Sequence, residues 1–186
     1  MDSFLTDKRR FSRQDVAALL AGSNALAELD LAAAYAIVGY MEARRIKATA
    51  VVVQEGFTNT GFMALVLQGD AVVENEQAKR TDSLVITQLG VGALVGELGL
   101  IDGQPRSATV RAVTDLDLAV LERAALTRLM QEQPEIACRL LASILASVSL
   151  RLRATNRKLL SIHRVNRSMQ GEIESHVSAF QSIQSA

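Results

Sequence analysis

One short stretch of this chain, from Gly96 to Val110, combines residue types that together could bind a phosphorylated ligand. Gly96 has no side chain, so its backbone can come close to a ligand. The residues after it can form a short helical turn whose free N–H groups attract an anion. Arg106 adds a permanent positive charge and a rigid fork of donors suited to two phosphate oxygens, with the Ser107 hydroxyl beside it. The stretch therefore predicts an anion site.

The carboxylate of Glu97 needs another kind of partner, because it would repel a bound phosphate. A hydrogen-bond donor such as a ribose hydroxyl fits it best, so the stretch favours a sugar phosphate as ligand. Taken singly, Gly96 and Gly103 are typical of ordinary turns, and Glu97 and Arg106 of solvated surface positions. The prediction depends on finding all of them in this order.

The sequence GELGLIDGQPRSATVRAVT resembles the phosphate-binding cassette of cyclic nucleotide-binding domains, especially in the bacterial catabolite activator (cyclic AMP receptor) family. The resemblance extends from about Leu31 to Leu160. It implies that Glu97 binds the ribose 2′-hydroxyl and that Arg106 and Ser107 bind the cyclic phosphate. The other cassette residues that we expect to contact the ligand are Gly96, Leu98 and Ala108.

The resemblance also implies ligand contacts on the C-terminal helix. The segment RLRATNRKL, Arg151 to Leu159, resembles the helix that reaches the nucleotide base across the dimer in that family. By position, Thr155 and Asn156 would contact the adenine edge and Arg151 would approach the phosphate, while Thr87 would line the base side. The family commonly has Thr-Ser where this chain has Thr-Asn. Cyclic AMP is favoured as the ligand, and cyclic GMP is the alternative.

The chain before and after the cassette predicts an α+β fold. A polar arm is expected up to Ser12, which can cap a helix that ends at Leu20, and a second helix fits Leu26 to Tyr40. Short alternating or β-branched segments separated by turn residues then predict a β-jelly roll or barrel. These segments are Ala43–Lys47, Ala50–Gln54, Phe62–Leu67, Ala71–Glu74, Ser83–Leu89, Ala108–Ala112 and Asp117–Leu121, followed by a short helix, Arg123–Gln131.

The last third of the chain shows the pattern of a long dimerisation helix. Seam residues recur at alternating spacings of three and four, and so narrow a seam predicts a parallel dimer of two such helices. Asn166 falls at an a-type position, where a buried asparagine fixes the register of the two helices. A helix packed across its own domain is the alternative, and Gly171 could interrupt the helix. The seam comprises Leu141, Leu145, Val148, Leu152, Thr155, Leu159, Ile162, Asn166, Met169, Ile173, His176, Phe180 and Ile183.

The same helix carries a basic run. No acidic residue lies between Glu135 and Glu172, while seven basic residues accumulate there. Such a run is usually a solvated helix face, and the alternative is a surface that docks an acidic partner or a nucleic-acid backbone. The basic residues are Arg139, Arg151, Arg153, Arg157, Lys158, Arg164 and Arg167.

Composition argues against several classes of protein. The 186 residues carry 20 basic and 20 acidic side chains, so net charge gives no general attraction to nucleic acid or membranes. Cys138 is the only cysteine, no Cys/His cluster has metal-ligand spacing, and no apolar run is long enough to span a bilayer. The lack of a spanning segment and the single cysteine predict a soluble, cytoplasmic protein. We also find no acid/base pair or activated nucleophile, so we predict that it is not an enzyme.

The predicted organisation has three parts: an arm and helix at 1–25, the nucleotide-binding β-roll at 26–133, and the long helix with a tail at 134–186. DNA-binding relatives carry a helix-turn-helix domain after the long helix, and no such pattern follows here. We therefore expect a stand-alone receptor that dimerises and signals through a protein effector, with nucleic acid not favoured as a partner. The alternatives are a structural dimerisation module with a vestigial pocket and a truncated cyclic AMP-dependent transcription regulator.

Overall fold

The computed structural model describes residues 11–58, 61–75 and 84–184. It divides into two compact units, the first ending at Ser147 and the second beginning at Val148. The basic run Lys8 to Arg10 of the predicted arm and the predicted strand start at Ser83 lie outside the described residues. Within the described residues, no helix is long and apolar enough to cross a membrane.

Two four-stranded antiparallel sheets make up the centre of the first unit, in the order β1-β8-β3-β6 and β2-β7-β4-β5. The predicted α+β jelly roll is thus confirmed. The bounds are β1 Glu42–Ile46, β2 Val51–Val53, β3 Phe62–Gln68, β4 Ala71–Asn75, β5 Leu84–Leu89, β6 Leu94–Val95, β7 Thr109–Ala112 and β8 Leu116–Glu122.

Strand β3 is buried on both of its faces, which explains its continuous apolar sequence. Ala64 and Val66 belong to a cluster that includes residues of both sheets. The alternate residues Met63 and Leu65 point to the opposite face and are also fully buried. Helix α1 (Arg13–Leu20) contacts β3.

Local capping sets where the first two helices begin. Ser12 and Asp15 form a capping box at the start of α1, as the predicted cap requires. The predicted second helix was too long, because α2 spans only Leu31–Val38. The Asp30 carboxylate accepts a hydrogen bond from the Ala33 N–H at 2.9 Å and thereby caps the helix. The helix therefore begins at Leu31, five residues after the predicted start. The bonds from Ala33 and then Arg139 hold the pKa of Asp30 below its ordinary value.

The remaining strand and helix predictions differ from the structure by small shifts of their ends. Among the strands of the described residues, sequence inspection missed β6, which has two residues and pairs Val95 with Ala64. It leads directly into α3 (Glu97–Asp102). After β8 the chain continues into α4 (Arg123–Glu132), which contacts β8.

The last helix, α5 (Pro134–Gln184), runs through Gly171 without a break. Within the first unit its residues Leu140 and Ile144 are fully buried. Within the second unit Val148 is half-buried, and the described apolar seam residues that follow it are exposed, including Leu152 and Leu159 at 59% each. The side chains of the later seam positions lie outside the described residues, namely Ile173, His176, Phe180 and Ile183.

Candidate functional site

The cassette begins at a turn whose backbone conformation favours glycine. Gly96 joins β6 to α3 with a φ of +78°, in the left-handed region. A Cβ atom at this position would lie 2.8 Å from the Phe62 carbonyl oxygen and 2.9 Å from Nη1 of Arg106. The absence of a side chain therefore allows the backbone and the guanidinium to lie side by side.

The guanidinium of Arg106 is held by two backbone carbonyl groups. Its Nη1 donates to the Gly96 oxygen at 2.7 Å and its Nη2 donates to the Phe62 oxygen at 3.0 Å. Its Cζ lies 4.7 Å from the centre of the Phe62 ring, a cation–π distance. Only 8% of the residue is exposed. Two backbone oxygens and one aromatic ring thus fix the orientation of the arginine.

The charges around Arg106 include a buried carboxylate. Glu97, the first residue of α3, is 3% exposed. Burial lowers the pKa of the Arg106 guanidinium, whereas the negative charges of Glu97 and Asp102 oppose that shift. Arginine stays protonated under such conditions. The site therefore offers a desolvated cation and a carboxylate acceptor next to each other, which suits a ligand with both an anion and a hydroxyl group.

Backbone pairing attaches the β2–β3 loop to the end of the cassette. The Arg106 N–H donates to the Phe57 oxygen at 3.1 Å, and the Gly56 N–H donates to the Arg106 oxygen at 2.9 Å. Next to these two bonds, the Glu55 N–H donates to Oγ1 of the fully buried Thr109 at 3.1 Å. These bonds restrain the backbone of Arg106 as the carbonyl groups restrain its side chain.

A second arginine joins the cassette helix to α4. Arg123, the first residue of α4, donates from Nη2 to the Gly99 oxygen at 3.1 Å and from its N–H to the Gly61 oxygen at 2.8 Å. A Cβ atom at Gly61 would collide with the Gly99 oxygen, so these two backbone segments are in direct contact. The position of α3 is therefore coupled to the start of β3 and the start of α4.

The structure brings together three of the predicted ligand contacts, Gly96, Glu97 and Arg106. Ser107 follows Arg106 in an exposed bend and Ala108 is half-buried. Leu98 is 46% exposed on α3. Thr87 lies exposed on β5, where it pairs with Val73. The roles assigned to these residues stay predictions.

The predicted ligand contacts on the C-terminal helix lie in the second unit. Arg151, Thr155 and Asn156 are on α5, after the boundary at Val148, and all three are exposed. Each has a surface that a ligand or a partner could reach. Their roles also stay predictions.

Sequence inspection missed two residues that shape the site, Phe62 and Gly99. Phe62 contributes a carbonyl oxygen and a ring to Arg106 from a strand far away in sequence. A Cβ atom at Gly99 would lie 2.5 Å from Nη1 of Arg106. The glycine within GELGL is visible in the sequence, but its contact with Arg106 depends on how the cassette folds back.

Comparison with known proteins agrees with this geometry. The family model described as cyclic nucleotide-binding domain matches residues 43–133, which include both sheets and the cassette. Residues 43–133 form a cyclic nucleotide-binding domain. This establishes the family resemblance carried by the cassette sequence.

Relatives of this cyclic nucleotide-binding domain occur in proteins of different kinds. A cyclic nucleotide-gated potassium channel of Mesorhizobium japonicum is 38% identical over 101 residues, 54% of this chain and 26% of the channel. The cAMP-activated global transcriptional regulator CRP of Haemophilus influenzae is 31% identical over 98 residues, 52% of this chain and 42% of the regulator. The match thus spans less than half the length of each of these relatives.

A solved structure of similar fold is a cyclic nucleotide-binding domain from Methylobacillus flagellatus. It has a TM-score of 0.63 and 27% sequence identity, and the match covers 70% of this chain and 72% of that one. The match extends well beyond the cassette. It supports the same arrangement of sheets and helices.

Replacement of Gly99 by alanine tests how the cassette positions Arg106. The new methyl group would displace the guanidinium from the Gly96 oxygen while the fold remains, because the far end of a flexible side chain can move. We expect cyclic nucleotide affinity, measured by calorimetric titration, to fall by about tenfold. The control is Gly90→Ala, where the nearest atom outside the local chain is 3.5 Å from the new Cβ. Unchanged affinity in Gly99→Ala would show that ligand binding does not depend on this orientation.

Proposed function

We propose that this protein is a cyclic nucleotide receptor, with cyclic AMP as the favoured ligand. The observation that carries the proposal is the buried Arg106 guanidinium, held 2.7 Å from the Gly96 oxygen beside the buried Glu97. An arginine oriented in advance loses little conformational freedom when it binds an anion. In this proposal the domains are those predicted from the sequence, at 1–25, 26–133 and 134–186.

The ligand would bind with its cyclic phosphate at Arg106 and Ser107 and its ribose 2′-hydroxyl at Glu97. The phosphate would supply the negative charge that the buried guanidinium lacks from its two carbonyl partners. The hydroxyl would donate to the carboxylate. Gly96, Leu98 and Ala108 would line the same part of the ligand.

The base would be recognised by residues outside the cassette. We assign Thr155 and Asn156 to the base, Arg151 to the phosphate and Thr87 to the base side, because each is exposed. The name of the Haemophilus influenzae relative specifies activation by cAMP, which favours cyclic AMP here. Cyclic GMP is the competing ligand, since threonine and asparagine side chains can pair with either purine.

We further propose that the part of α5 in the second unit forms a parallel dimer with a second copy. The dimer would signal to a protein effector. The exposed seam residues Leu152, Leu159, Ile162 and Met169 support this part, because more than half the surface of each is open to solvent. Ligand would favour one arrangement of the helix pair over another, and the effector would respond to that shift. Such a receptor has no catalytic step.

Two other functions are compatible with the same fold. A structural dimerisation module with a vestigial pocket would form a stable dimer that is indifferent to nucleotides. A cyclic AMP-dependent transcription regulator would carry a DNA-binding region in the natural protein. A measurement of nucleotide binding distinguishes the dimerisation module from the receptor. A natural reading frame that encodes a DNA-binding region would identify the transcription regulator.

Calorimetric titration of the nucleotide-free protein with cyclic AMP and cyclic GMP tests ligand binding. We expect saturable binding with cyclic AMP the tighter ligand. Arg106→Ala removes the charged fork and should weaken binding about 100-fold or more. Arg45→Ala is the matched control, since Arg45 forms a surface ion pair with Asp117 on β8. The absence of heat with either nucleotide in the wild type would leave the dimerisation module as the better hypothesis.

Sedimentation equilibrium of two neighbouring leucine variants tests the dimer. Leu159 lies in the seam and Leu160 does not, yet they are 59% and 60% exposed, so exposure alone does not distinguish them. We expect Leu159→Glu to dissociate the dimer, because it places a charge in the apolar seam of each helix, and Leu160→Glu to leave it intact. A wild-type monomer, or equal effects of the two variants, would contradict the predicted seam.

A further inference from the structure

A second regular stripe runs along the part of α5 in the second unit. Its residues repeat as leucine, arginine, arginine, with alternating spacings of three and four. Each of them is exposed, the two leucines at 63% and 60%. We call it the Leu/Arg stripe, and it consists of Leu150, Arg153, Arg157, Leu160, Arg164 and Arg167.

The Leu/Arg stripe lies on the helix face opposite the dimer seam. At about 100° per residue, Arg157 points roughly 170° and Leu160 roughly 130° away from the direction midway between Leu159 and Ile162. The same spacing pattern keeps the two stripes apart over successive turns. A second copy bound along the seam would therefore leave the Leu/Arg stripe accessible.

The four guanidinium groups of the stripe have no carboxylate partner on their own helix segment. No aspartate or glutamate occurs between Glu135 and Glu172, so no intrahelical pair at spacings of three or four can neutralise them. From Leu150 to Arg167 the stripe extends about 25 Å along the helix axis. It is a linear array of like charges, complementary to an equally linear array of carboxylates.

The two leucines decide which kind of anionic partner fits. A nucleic-acid phosphate backbone rewards cations and leaves exposed leucines without a partner. A protein helix with apolar and acidic residues on one face can cover Leu150 and Leu160 and pair with the arginines together. The alternation of three and four is the spacing at which one helix packs along another.

We propose that the Leu/Arg stripe docks an acidic amphipathic helix of the effector protein. That the partner is an effector rests on the proposed receptor function. The docking surface itself requires only the part of α5 in the second unit. Its arginines bind carboxylates of the partner, and Leu150 and Leu160 pack against apolar residues between those carboxylates.

The test uses the full chain and a synthetic helical peptide of about 21 residues with a fluorescent label. The peptide carries Leu, Glu, Glu, Leu, Glu and Glu at the spacings of the stripe, and a scrambled peptide has the same composition. Fluorescence anisotropy at physiological salt gives the affinities. A labelled DNA duplex of similar charge is the third probe. We expect saturable binding of the patterned peptide and at least tenfold weaker binding of the scrambled peptide and the duplex.

Two adjacent residues supply matched variants. Arg157→Glu and Lys158→Glu change the net charge equally, but only Arg157 lies in the stripe. We expect Arg157→Glu to weaken peptide binding about tenfold and Lys158→Glu less than threefold. Leu160→Ala should weaken it about fivefold, because the peptide leucine loses its contact. Circular dichroism and sedimentation confirm that each variant keeps its helix and its oligomeric state.

Several outcomes would overturn the proposal. They are absence of binding by the patterned peptide, equal effects of Arg157→Glu and Lys158→Glu, or no effect of Leu160→Ala. Duplex binding as tight as peptide binding would instead assign the stripe to nucleic acid. Cyclic AMP titration of the same variants keeps the two proposals separate. Failure of nucleotide binding with intact peptide binding removes the receptor function alone, and the reverse result removes the docking surface alone.

Discussion

The site depends on one buried cation whose direction is fixed by neutral backbone oxygens. Arg106 donates to the Gly96 and Phe62 carbonyl groups and stacks on the Phe62 ring. The two carbonyl groups set the direction of the guanidinium but carry no net charge, so under the proposed function the anionic ligand would add a charged partner. The left-handed turn at Gly96 and the absence of a side chain at Gly99 are requirements of this contact. The jelly roll holds one of the two carbonyl oxygens in place, since Phe62 is the first residue of strand β3.

The same arrangement connects the cassette to the helices that follow it. Arg123 begins α4 and donates to the Gly99 oxygen, so α3 is hydrogen-bonded to the helix that precedes α5. On α5, the apolar seam and the Leu/Arg stripe give the helix two chemically different faces. Under the two proposals above, the seam would serve the dimer and the Leu/Arg stripe would serve the output.

The cassette could be predicted from sequence because its residues are local and chemically specific. The order Gly96, Glu97, Arg106 predicts a sugar-phosphate site, and alternation predicted most strands to within a residue or two. The start of α2 was predicted wrongly because its alanine-rich pattern continues upstream, whereas the Asp30 cap sets the boundary. The contacts of Phe62 could not be predicted, since they join residues that only strand pairing brings together. Strand β6 was missed because two residues give no periodicity.

The most direct test of the central account is the preference for a ribose 2′-hydroxyl, measured in the wild type and in Glu97→Ala. Calorimetric titration with cyclic AMP and its 2′-deoxy analogue gives an affinity ratio for each protein, so a general loss of affinity cancels. We predict a wild-type ratio of about 10 to 100 in favour of cyclic AMP, because a hydrogen bond to a buried carboxylate is lost in the analogue. In Glu97→Ala the ratio should fall close to one. A variant that kept the wild-type ratio would contradict the account of how this site reads its ligand.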